Sequence, residues 1–311
     1  MSEAQSADAV LMIRPVRFQT NPLTAESNKF QAEAPVAPAD TAQERALAEF
    51  EGLRAALEAA GVAVHVFDDT PEPHTPDSVF PNNWVTFHSD GTAVVYPMEA
   101  PNRRPERRRD VVEAFDRELG YRVDQVIDLS RHEDAGHFLE GSGSLVLDRS
   151  RHRAYACLSS RTHAGPLAEF ARKLRYEVLS FEAVDADGEP IYHTNVMMWV
   201  GEGMAAVCAE SVRDPQQSEA LLAALAEGGR TVLELSLAQV MAFAGNMLEL
   251  RSREGDRLLV MSDQARRSLT AEQLAAIEDY ARIVSAPLDH IETSAGGSAR
   301  CMLAAVHLPR R

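Results

Sequence analysis

Five polar residues recur at nearly regular intervals, and each directly precedes or opens a short apolar run. They are Asn83, Glu140, His193, Asn246 and Cys301, separated by 57, 53, 53 and 55 residues. A repeat of this length indicates one structural unit that occurs five times, with a polar side chain at the same place in each. Three of these residue types suit covalent catalysis: the Cys301 thiolate as nucleophile, His193 as proton carrier and Glu140 as acceptor for substrate N–H groups.

The other cysteines, Cys157 and Cys208, fall inside predicted strands and outside this repeat position, so we expect them to be core residues. Three widely spaced cysteines argue against a disulfide framework and fit a reducing compartment. The chain contains no Cys-x-x-Cys pair and no His-Glu-x-x-His pattern. The sequence therefore predicts no metal site.

The composition is that of a globular protein. Of its 311 residues, 45% are hydrophobic, which is enough for a sizeable core. The formal net charge of −16 opposes binding to nucleic acid or to an anionic membrane. With no run of 18 apolar residues and no signal-peptide pattern, we expect a cytoplasmic protein. The sequence gives no indication of the oligomeric state.

Each polar residue begins a unit with the same order of elements: a β-hairpin, a helix and a strand. In the first unit the hairpin strands are predicted at 84–87 and 93–96, joined through Asp90-Gly91, and are followed by helix 107–119 and strand 123–129. The next three units repeat this order, with elements predicted at 144–147, 154–158, 166–174, 177–181, 196–200, 204–208, 217–226, 231–235, 247–250, 257–261, 271–284 and 288–291.

The fifth unit begins at Cys301 and lacks its return strand, which the N-terminal part of the chain can supply. That part is predicted as strand 10–14, amphipathic helix 41–61 and strand 62–67. The prediction is therefore an α/β ring with pseudo-fivefold symmetry in a single domain, 1–311, in which the five polar residues meet at the centre. The irregular segment 15–40 is predicted to be an active-site loop that closes over substrate.

The chain resembles the guanidino-group-modifying enzymes, or penteins, which include arginine deiminases, dimethylarginine dimethylaminohydrolases and amidinotransferases. The resemblance runs from about Val10 to the C-terminus. The motifs that carry it are Asp77-Ser78-Val79-Phe80 followed by Asn82-Asn83, then Arg103-Arg104, Leu139-Glu140-Gly141, Ser160-Arg161-Thr162, His193-Thr194-Asn195, and Gly296-Gly297 ahead of Cys301-Met302. It implies a five-bladed α/β propeller of ββαβ repeats around a central active site, and an enzyme without a cofactor.

The resemblance also implies roles for the residues already singled out. Cys301 would be the nucleophile, His193 the general acid and base, and Glu140 the carboxylate that faces the substrate nitrogens. Arg103 and Arg161 resemble the pair that binds the α-carboxylate of an amino acid. Asp77 resembles a substrate-pocket acid, and Asn246 would shape the pocket. Two alternatives stay open: Arg103 as part of the solvated basic run 103–109, and Asp77 as a turn residue.

The chain departs from the deiminases where it has amides in place of carboxylates. Position 83 is aspartate in deiminases and dimethylarginases but is Asn83 here, beside Asn82, and Asn195 replaces a deiminase aspartate. A guanidinium is a fixed cation whose burial requires carboxylates, whereas an amide can bind both the oxygen and the N–H groups of a neutral ureido group. The pattern is thus similar to the citrulline hydrolases, or citrulline ureidases. The alternative is that Asn82-Asn83 simply forms a turn.

The predicted reaction converts L-citrulline and water to L-ornithine, carbon dioxide and ammonia through a covalent cysteine intermediate. The alternatives are an arginine deiminase or dimethylarginine dimethylaminohydrolase, then an amidinotransferase, and then a non-catalytic pentein that acts by binding. Retention of Cys301, His193 and Glu140 counts against the last of these. In every enzymatic case the partner is an amino-acid substrate, citrulline or an arginine derivative.

Overall fold

The computed structural model describes residues 3–25, 27–32 and 36–311, whose strands form five sheets of three strands each. The strands are β1 (Ala9–Arg14), β2 (Ala63–Asp68), β3 (Val85–Phe87), β4 (Thr92–Val95), β5 (Gln125–Asp128), β6 (Val146–Asp148), β7 (Arg153–Cys157), β8 (Glu177–Phe181), β9 (Met198–Val200), β10 (Met204–Val207), β11 (Thr231–Glu234), β12 (Leu248–Arg251), β13 (Arg257–Ser262), β14 (Arg282–Ala286) and β15 (Ala304–Ala305). The helices are α1 (Ala39–Ala59), α2 (Arg109–Arg117), α3 (Gly141–Ser144), α4 (Ala164–Leu174), α5 (Pro215–Ala226), α6 (Leu237–Met241), α7 (Asp263–Ser268), α8 (Ala271–Tyr280) and α9 (Asp289–Ala295).

All five sheets have the same topology. The first strand of each pairs antiparallel with the middle strand, and the middle strand pairs parallel with the third. The sheets are β3-β4-β5, β6-β7-β8, β9-β10-β11, β12-β13-β14 and β15-β1-β2. Parallel neighbours need a crossover connection, and helices supply it in each sheet. The predicted five-bladed α/β propeller is confirmed, and the predicted strands and helices other than those between 271 and 295 lie within two residues of their observed bounds. The short helices α3, α6 and α7 were not predicted.

The two ends of the chain together build the fifth sheet. Strand β15 pairs antiparallel with β1, with Val10 opposite Ala305, and β1 pairs parallel with β2. Helix α1 makes the crossover between β1 and β2. It is amphipathic, and Phe50, Leu53 and Leu57 on its inner face are fully buried. The prediction that the N-terminal region completes the fifth unit is therefore confirmed.

One stretch of the predicted secondary structure is wrong. The sequence pattern predicted helix 271–284 and strand 288–291, whereas α8 ends at Tyr280, β14 spans Arg282–Ala286, and α9 covers the segment predicted as a strand. Ala281 has extended backbone angles, and β14 then pairs in register with β13. The β-branched residues Ile283 and Val284 favour a strand, so the apolar pattern of the helix continues into β14 without a visible break.

Candidate active site

Each of the five repeated polar residues lies in or directly beside its own tight turn, just before the first strand of its sheet. Asn83 ends the turn Pro81–Asn83. Glu140 directly precedes the turn Gly141–Ser144, and His193 directly precedes the turn Thr194–Val196. The backbone N–H of Asn246 donates to the carbonyl of Phe243, and that of Cys301 donates to the carbonyl of Ser298, which closes the last two turns. All five side chains are buried, with at most 4% of the residue exposed. The sequence period thus corresponds to a repeated turn that delivers one polar side chain per sheet.

Small residues allow these turns to approach one another closely. A Cβ atom on Gly143 would lie 2.5 Å from Asn83 Nδ2 and 2.8 Å from the His193 ring. At Gly141 the backbone has a φ of +45°, and a Cβ would lie 2.2 Å from the carbonyl oxygen of Asn82. The Gly-Ser-Gly-Ser sequence of α3 is therefore a steric requirement of the site.

His193 and Glu140 form a buried hydrogen-bonded pair. His193 Nε2 lies 2.9 Å from Glu140 Oε2, and the other carboxylate oxygen accepts the backbone N–H of Glu99 at 3.0 Å. Burial lowers the pKa of His193 to about 4, although the bond to Glu140 opposes this. Burial alone would raise the pKa of Glu140, but the charge of Arg161 and the bond to His193 hold it well below its usual range. At neutral pH the site therefore contains an ionised carboxylate and a neutral imidazole that can accept a proton.

Two asparagine amides contact the sulfur of Cys301. Asn246 Nδ2 lies 3.2 Å and Asn195 Nδ2 lies 3.5 Å from Cys301 Sγ, and Asn246 Nδ2 also donates to the backbone oxygen of Asn195 at 3.1 Å. N–H donors aimed at a sulfur stabilise the negative charge that develops there as its proton leaves, because hydrogen bonds to a charged acceptor are stronger than those to a neutral one. Asn246 therefore touches the candidate nucleophile directly and does more than shape the pocket.

The two remaining cysteines have different surroundings. Cys157 and Cys208 are fully buried within the largest apolar cluster. Burial raises the pKa of Cys157 to about 12 and that of Cys208 to about 11. Both thiols stay protonated at neutral pH, in agreement with the expectation that they are core residues.

Arg103 is buried and bound by a carboxylate that the sequence analysis did not single out. Its Nε and Nη2 each donate to Glu106 at 2.9 Å, and its Nη1 donates to Asn83 Oδ1 at 3.0 Å. Asp77 Oδ2 lies 3.6 Å from Arg103 Nε. Arg103 is only 2% exposed, so the alternative that it belongs to a solvated basic run is wrong. The available signal for Glu106 was its position three residues after Arg103, the one acid within a basic run.

The contact with Arg103 fixes the orientation of the Asn83 amide. A guanidinium can only donate hydrogen bonds, so the amide oxygen of Asn83 must face Arg103 and its NH₂ group must face the other way. That NH₂ group is buried and has no partner within the described residues. The same holds for further polar atoms nearby: both side-chain polar atoms of Asn82, Oδ1 of Asp77, Oδ1 of Asn195 and Oδ1 of Asn246.

Unpaired buried polar atoms are rare in folded proteins, so such a group of them suits a polar ligand. Between them these side chains offer an NH₂ donor at Asn83, amide oxygens at Asn195 and Asn246, and a carboxylate oxygen at Asp77. The arrangement can bind a small planar group that carries both donors and acceptors. Among the predicted site residues, Asn82 is the one whose side-chain polar atoms contact none of the others within the described residues.

Arg161 joins the site to the segment predicted as the active-site loop. Its Nη2 donates to Ser27 Oγ at 2.7 Å, and its Nη1 lies 3.5 Å from Glu140 Oε2. The guanidinium also lies 4.8 Å from the centre of the Tyr192 ring, which is close enough for a cation–π interaction. Unlike Arg103, Arg161 forms no bidentate pair with a carboxylate among the described residues.

The described part of segment 15–40 packs onto the site. Asn21 Nδ2 donates to Asp77 Oδ2 at 2.7 Å. Asp77 therefore contacts both this segment and Arg103, and it is more than a residue of a local turn. Asn28 Nδ2 donates to the carbonyl of Ala295 at 3.1 Å, close to the Cys301 turn. Residues 26 and 33–35 of the predicted loop lie outside the described residues, and its last two residues belong to α1.

Within the described residues, no group of three or more His, Cys, Asp or Glu side chains could hold a metal ion. The helices of the described chain include none with the length and apolar character needed to span a membrane.

A family model described as N,N dimethylarginine dimethylhydrolase, eukaryotic, matches residues 14–308. No curated protein sequence matches the chain significantly. Solved structures of several proteins share the fold at low sequence identity.

The first is ArgZ, an arginine dihydrolase from the ornithine–ammonia cycle in Cyanobacteria. Its N-terminal domain, captured with a covalently bound reaction intermediate, has a TM-score of 0.73 and 18% identity, covering 96% of this chain and 97% of that one. AgrE bound to L-arginine has a TM-score of 0.74 and 19% identity, covering 97% of this chain and 40% of that one. The chain likewise spans 40% of full-length ArgZ.

A dimethylarginine dimethylaminohydrolase in an adduct with S-methyl-L-thiocitrulline is also similar. It has a TM-score of 0.66 and 16% identity, covering 96% of this chain and 98% of that one. At these identities the structural likeness shows the fold.

Proposed function

Because the chain belongs to the N,N dimethylarginine dimethylhydrolase family, we propose that it hydrolyses a C–N bond at the planar carbon of a guanidino or ureido group on an amino acid. It is a hydrolytic enzyme of the guanidino-modifying superfamily, a class with a cysteine nucleophile. The observation that carries the proposal for this chain is the Cys301 thiol with two amide donors, buried in the same site as the His193–Glu140 pair.

In the proposed mechanism the Cys301 thiol transfers its proton to His193 as the sulfur bonds to the planar carbon. The imidazolium so formed is stabilised by the Glu140 carboxylate at 2.9 Å. It then protonates the departing nitrogen, the C–N bond breaks, and the remaining group stays on sulfur. His193 next removes a proton from water, which attacks the same carbon, and the C–S bond breaks to restore the thiol.

A guanidino substrate is the first candidate, because the comparisons favour it. The family is described as acting on dimethylarginine, ArgZ is an arginine dihydrolase, and AgrE binds L-arginine. In this chain Glu140 and the unpartnered Oδ1 of Asp77 offer carboxylate oxygens to N–H groups. The substrate would be L-arginine or a methylated arginine, and the product of hydrolysis would be L-citrulline.

L-Citrulline is the second candidate, favoured by the orientation of Asn83. The NH₂ group that Asn83 turns away from Arg103 is a donor, and a guanidinium has only donors to offer it. The oxygen of a ureido group is an acceptor and matches this NH₂ group. Hydrolysis of citrulline would give L-ornithine, carbon dioxide and ammonia.

We further propose that Arg161 binds the α-carboxylate and that the described residues 17–25 and 27–32 act as a lid over it. Arg103 is committed to Glu106 and Asn83, whereas the Arg161 guanidinium bonds to Ser27 and Thr24 of this segment. Arg161 also pairs with Glu99 at 3.2 Å and with Glu140 at 3.5 Å, and these two contacts do not depend on the segment. Opening of the segment would release the Ser27 and Thr24 bonds of Arg161 for a carboxylate, and closing would enclose the substrate. The whole chain, 1–311, would act as one catalytic domain.

A panel of L-arginine, dimethyl-L-arginine, agmatine and L-citrulline tests the proposal. Each compound is incubated with the wild type and with Cys301→Ser, and products are identified by mass spectrometry. We expect turnover of at least one amino acid by the wild type and of none by the variant. Citrulline formed from arginine or its methylated form supports the first candidate, and ornithine formed from citrulline supports the second. No turnover by the wild type, or undiminished turnover by Cys301→Ser, would contradict the proposal.

A further inference from the structure

A cavity of about 50 Å³, separate from the catalytic side chains, lies at the centre of the ring. All five sheets contribute lining residues from their first strands: Thr86, Leu147, Val200, Leu248 and Ala304. Arg300, the chain neighbour of the candidate nucleophile, also lines it. A cavity bordered by the equivalent strand of every sheet lies on the pseudo-fivefold axis.

Arg300 brings an uncompensated positive charge to this cavity. The residue is 6% exposed, and its Nη1 donates to the backbone oxygen of Met198 at 3.3 Å. Its Nε is buried without a partner, and no carboxylate of the described chain pairs with the guanidinium. Burial lowers the pKa of Arg300 to about 10, which still leaves it charged at neutral pH. A buried cation without a counter-ion is unfavourable, so binding of an anion next to the Arg300 guanidinium would be stabilising.

The other charged groups that line the cavity already have partners. Arg149 Nη1 donates to Glu3 Oε1 at 2.7 Å. The carboxylate of Glu249 accepts from the Tyr280 hydroxyl and from the backbone N–H of Glu202, and its Oε2 forms an ion pair with Arg257 Nε at 3.9 Å, which compensates its negative charge. Burial holds the pKa of His307 well below its ordinary value, so this ring is neutral. The excess charge at the cavity is therefore one positive unit, carried by Arg300.

We propose that the cavity binds one small monovalent anion of about the size of chloride on the Arg300 guanidinium. A volume of about 50 Å³ has room for roughly three or four water-sized particles. That is enough for a halide with a water molecule, and too little for a large organic anion. Gln5 closes the cavity from the N-terminal side, where its Nε2 donates to the backbone oxygens of Leu147 at 2.9 Å and Val200 at 3.0 Å.

The position of this site links it to the catalytic residues. Arg300 and Cys301 are consecutive in one tight turn, and Ser142, within the α3 turn that follows Glu140, also borders the cavity. A bound anion would offset the charge of Arg300 and so change the electrostatic potential at the thiol. The site is independent of the substrate class proposed above, since no residue of the proposed substrate pocket lines it.

The test compares sodium bromide with sodium gluconate at equal ionic strength, because gluconate is too large for the cavity. In crystals of the wild type grown in bromide, we expect an anomalous-scattering peak within hydrogen-bond distance of the Arg300 guanidinium. We also expect a saturable rise in Tm of at least about 2 °C in bromide relative to gluconate. Arg300→Met should lose this rise, and Arg109→Met, at a side chain that is 87% exposed, should keep it.

Anomalous density absent from the cavity, or water there that bridges Arg300 to Glu249, would overturn the proposal. So would an equal Tm of the wild type in both salts. If Arg300→Met does not fold, the bromide crystal of the wild type still decides the question.

Discussion

At the scale of single residues, the chemistry of the site depends on which atoms of each polar side chain remain free. Asn83 illustrates this, because its oxygen is bound to Arg103 and its NH₂ group has no partner among the described residues. The Glu140 carboxylate is similarly divided between His193 and the Glu99 backbone. These orientations determine whether a neutral or a charged planar group fits better.

Asn83→Asp should shift preference toward guanidino substrates. An aspartate can bind Arg103 through one oxygen and turn the other, an acceptor, toward the N–H groups of a guanidinium. We expect the ratio of kcat/KM for L-arginine to that for L-citrulline to rise at least ~10-fold. Gln216→Glu, which makes the same amide-to-carboxylate change at an exposed residue of α5, serves as the control. An unchanged ratio in Asn83→Asp would refute the role given to this amide.

Glu106→Gln should weaken both stability and substrate discrimination. The substitution replaces one of the two Glu106 oxygens that accept from Arg103 by an amide NH₂, so one buried guanidinium N–H faces another donor. We expect unfolding in urea to require about 1–3 kcal/mol less free energy. We also expect a reduced ratio between the two best substrates, because Arg103 would hold Asn83 less firmly. The control is Glu113→Gln at an exposed ion pair, which should change neither quantity.

The low pKa of His193 predicts the acid limb of the pH profile. Its pKa is about 4 in the folded protein, because burial disfavours the charged ring, against about 6.5 in an unfolded chain. The folded-state pKa is depressed, so the stability that this group contributes is present above about pH 6.5 and is lost as pH falls toward 4. We therefore expect kcat/KM to persist at pH 5 and to fall below about pH 4. A fall centred near pH 6.5 would contradict the assignment of His193 as the neutral base.

At the scale of elements, the five tight turns follow a repeat in the sequence, whereas the loop over the site does not. The turns recur with the 53- to 57-residue period, so the period alone located Asn83, Glu140, His193, Asn246 and Cys301. The loop sequence lacks periodicity, and the placement of residues 17–25 and 27–32 depends on long-range side-chain bonds such as Asn21 to Asp77. The first kind of feature can be predicted from the chain, and the second cannot.

The same distinction explains the other differences. Hairpin strands with a clear turn between them were located within two residues. The boundary between α8 and β14 was missed because apolar residues continue across it at both helical and strand spacing. Glu106 was missed because its role depends on a buried contact with Arg103. In the sequence it belongs to the charged run 103–109, which is typical of an exposed surface.

Asn21→Ala should loosen the segment that covers the site. Asn21 is fully buried, donates to Asp77 at 2.7 Å and accepts from Asn102 at 2.8 Å, so its loss removes a buried hydrogen bond from each of these partners. We expect faster limited proteolysis within residues 17–32 and a KM raised by ~5- to 50-fold, with substrate slowing the cleavage. Leu23→Ala, at a residue that is 56% exposed, is the control and should behave as the wild type. Equal cleavage of both variants would remove the support for a lid.

At the scale of the whole molecule, the ring makes one site from five sheets. The turn before each sheet contributes at least one polar side chain, and the fifth sheet forms only when β15 near the C-terminus pairs with β1 near the N-terminus. The N-terminal residues also contact distant sheets, as Gln5 does at Leu147 and Val200. Assembly of the catalytic groups therefore requires closure of the ring, which is a long-range event along the chain.

The central claim is that Cys301 forms a covalent bond to the planar carbon of the substrate. The most direct test is acid quenching of the wild type during turnover of its best substrate, followed by intact-protein and peptide mass spectrometry. We predict a mass increase confined to the peptide that contains Cys301 and absent from Cys301→Ser. Substrate consumption with no adduct at any quench time, or an adduct on Cys157 or Cys208 in its place, would contradict the account.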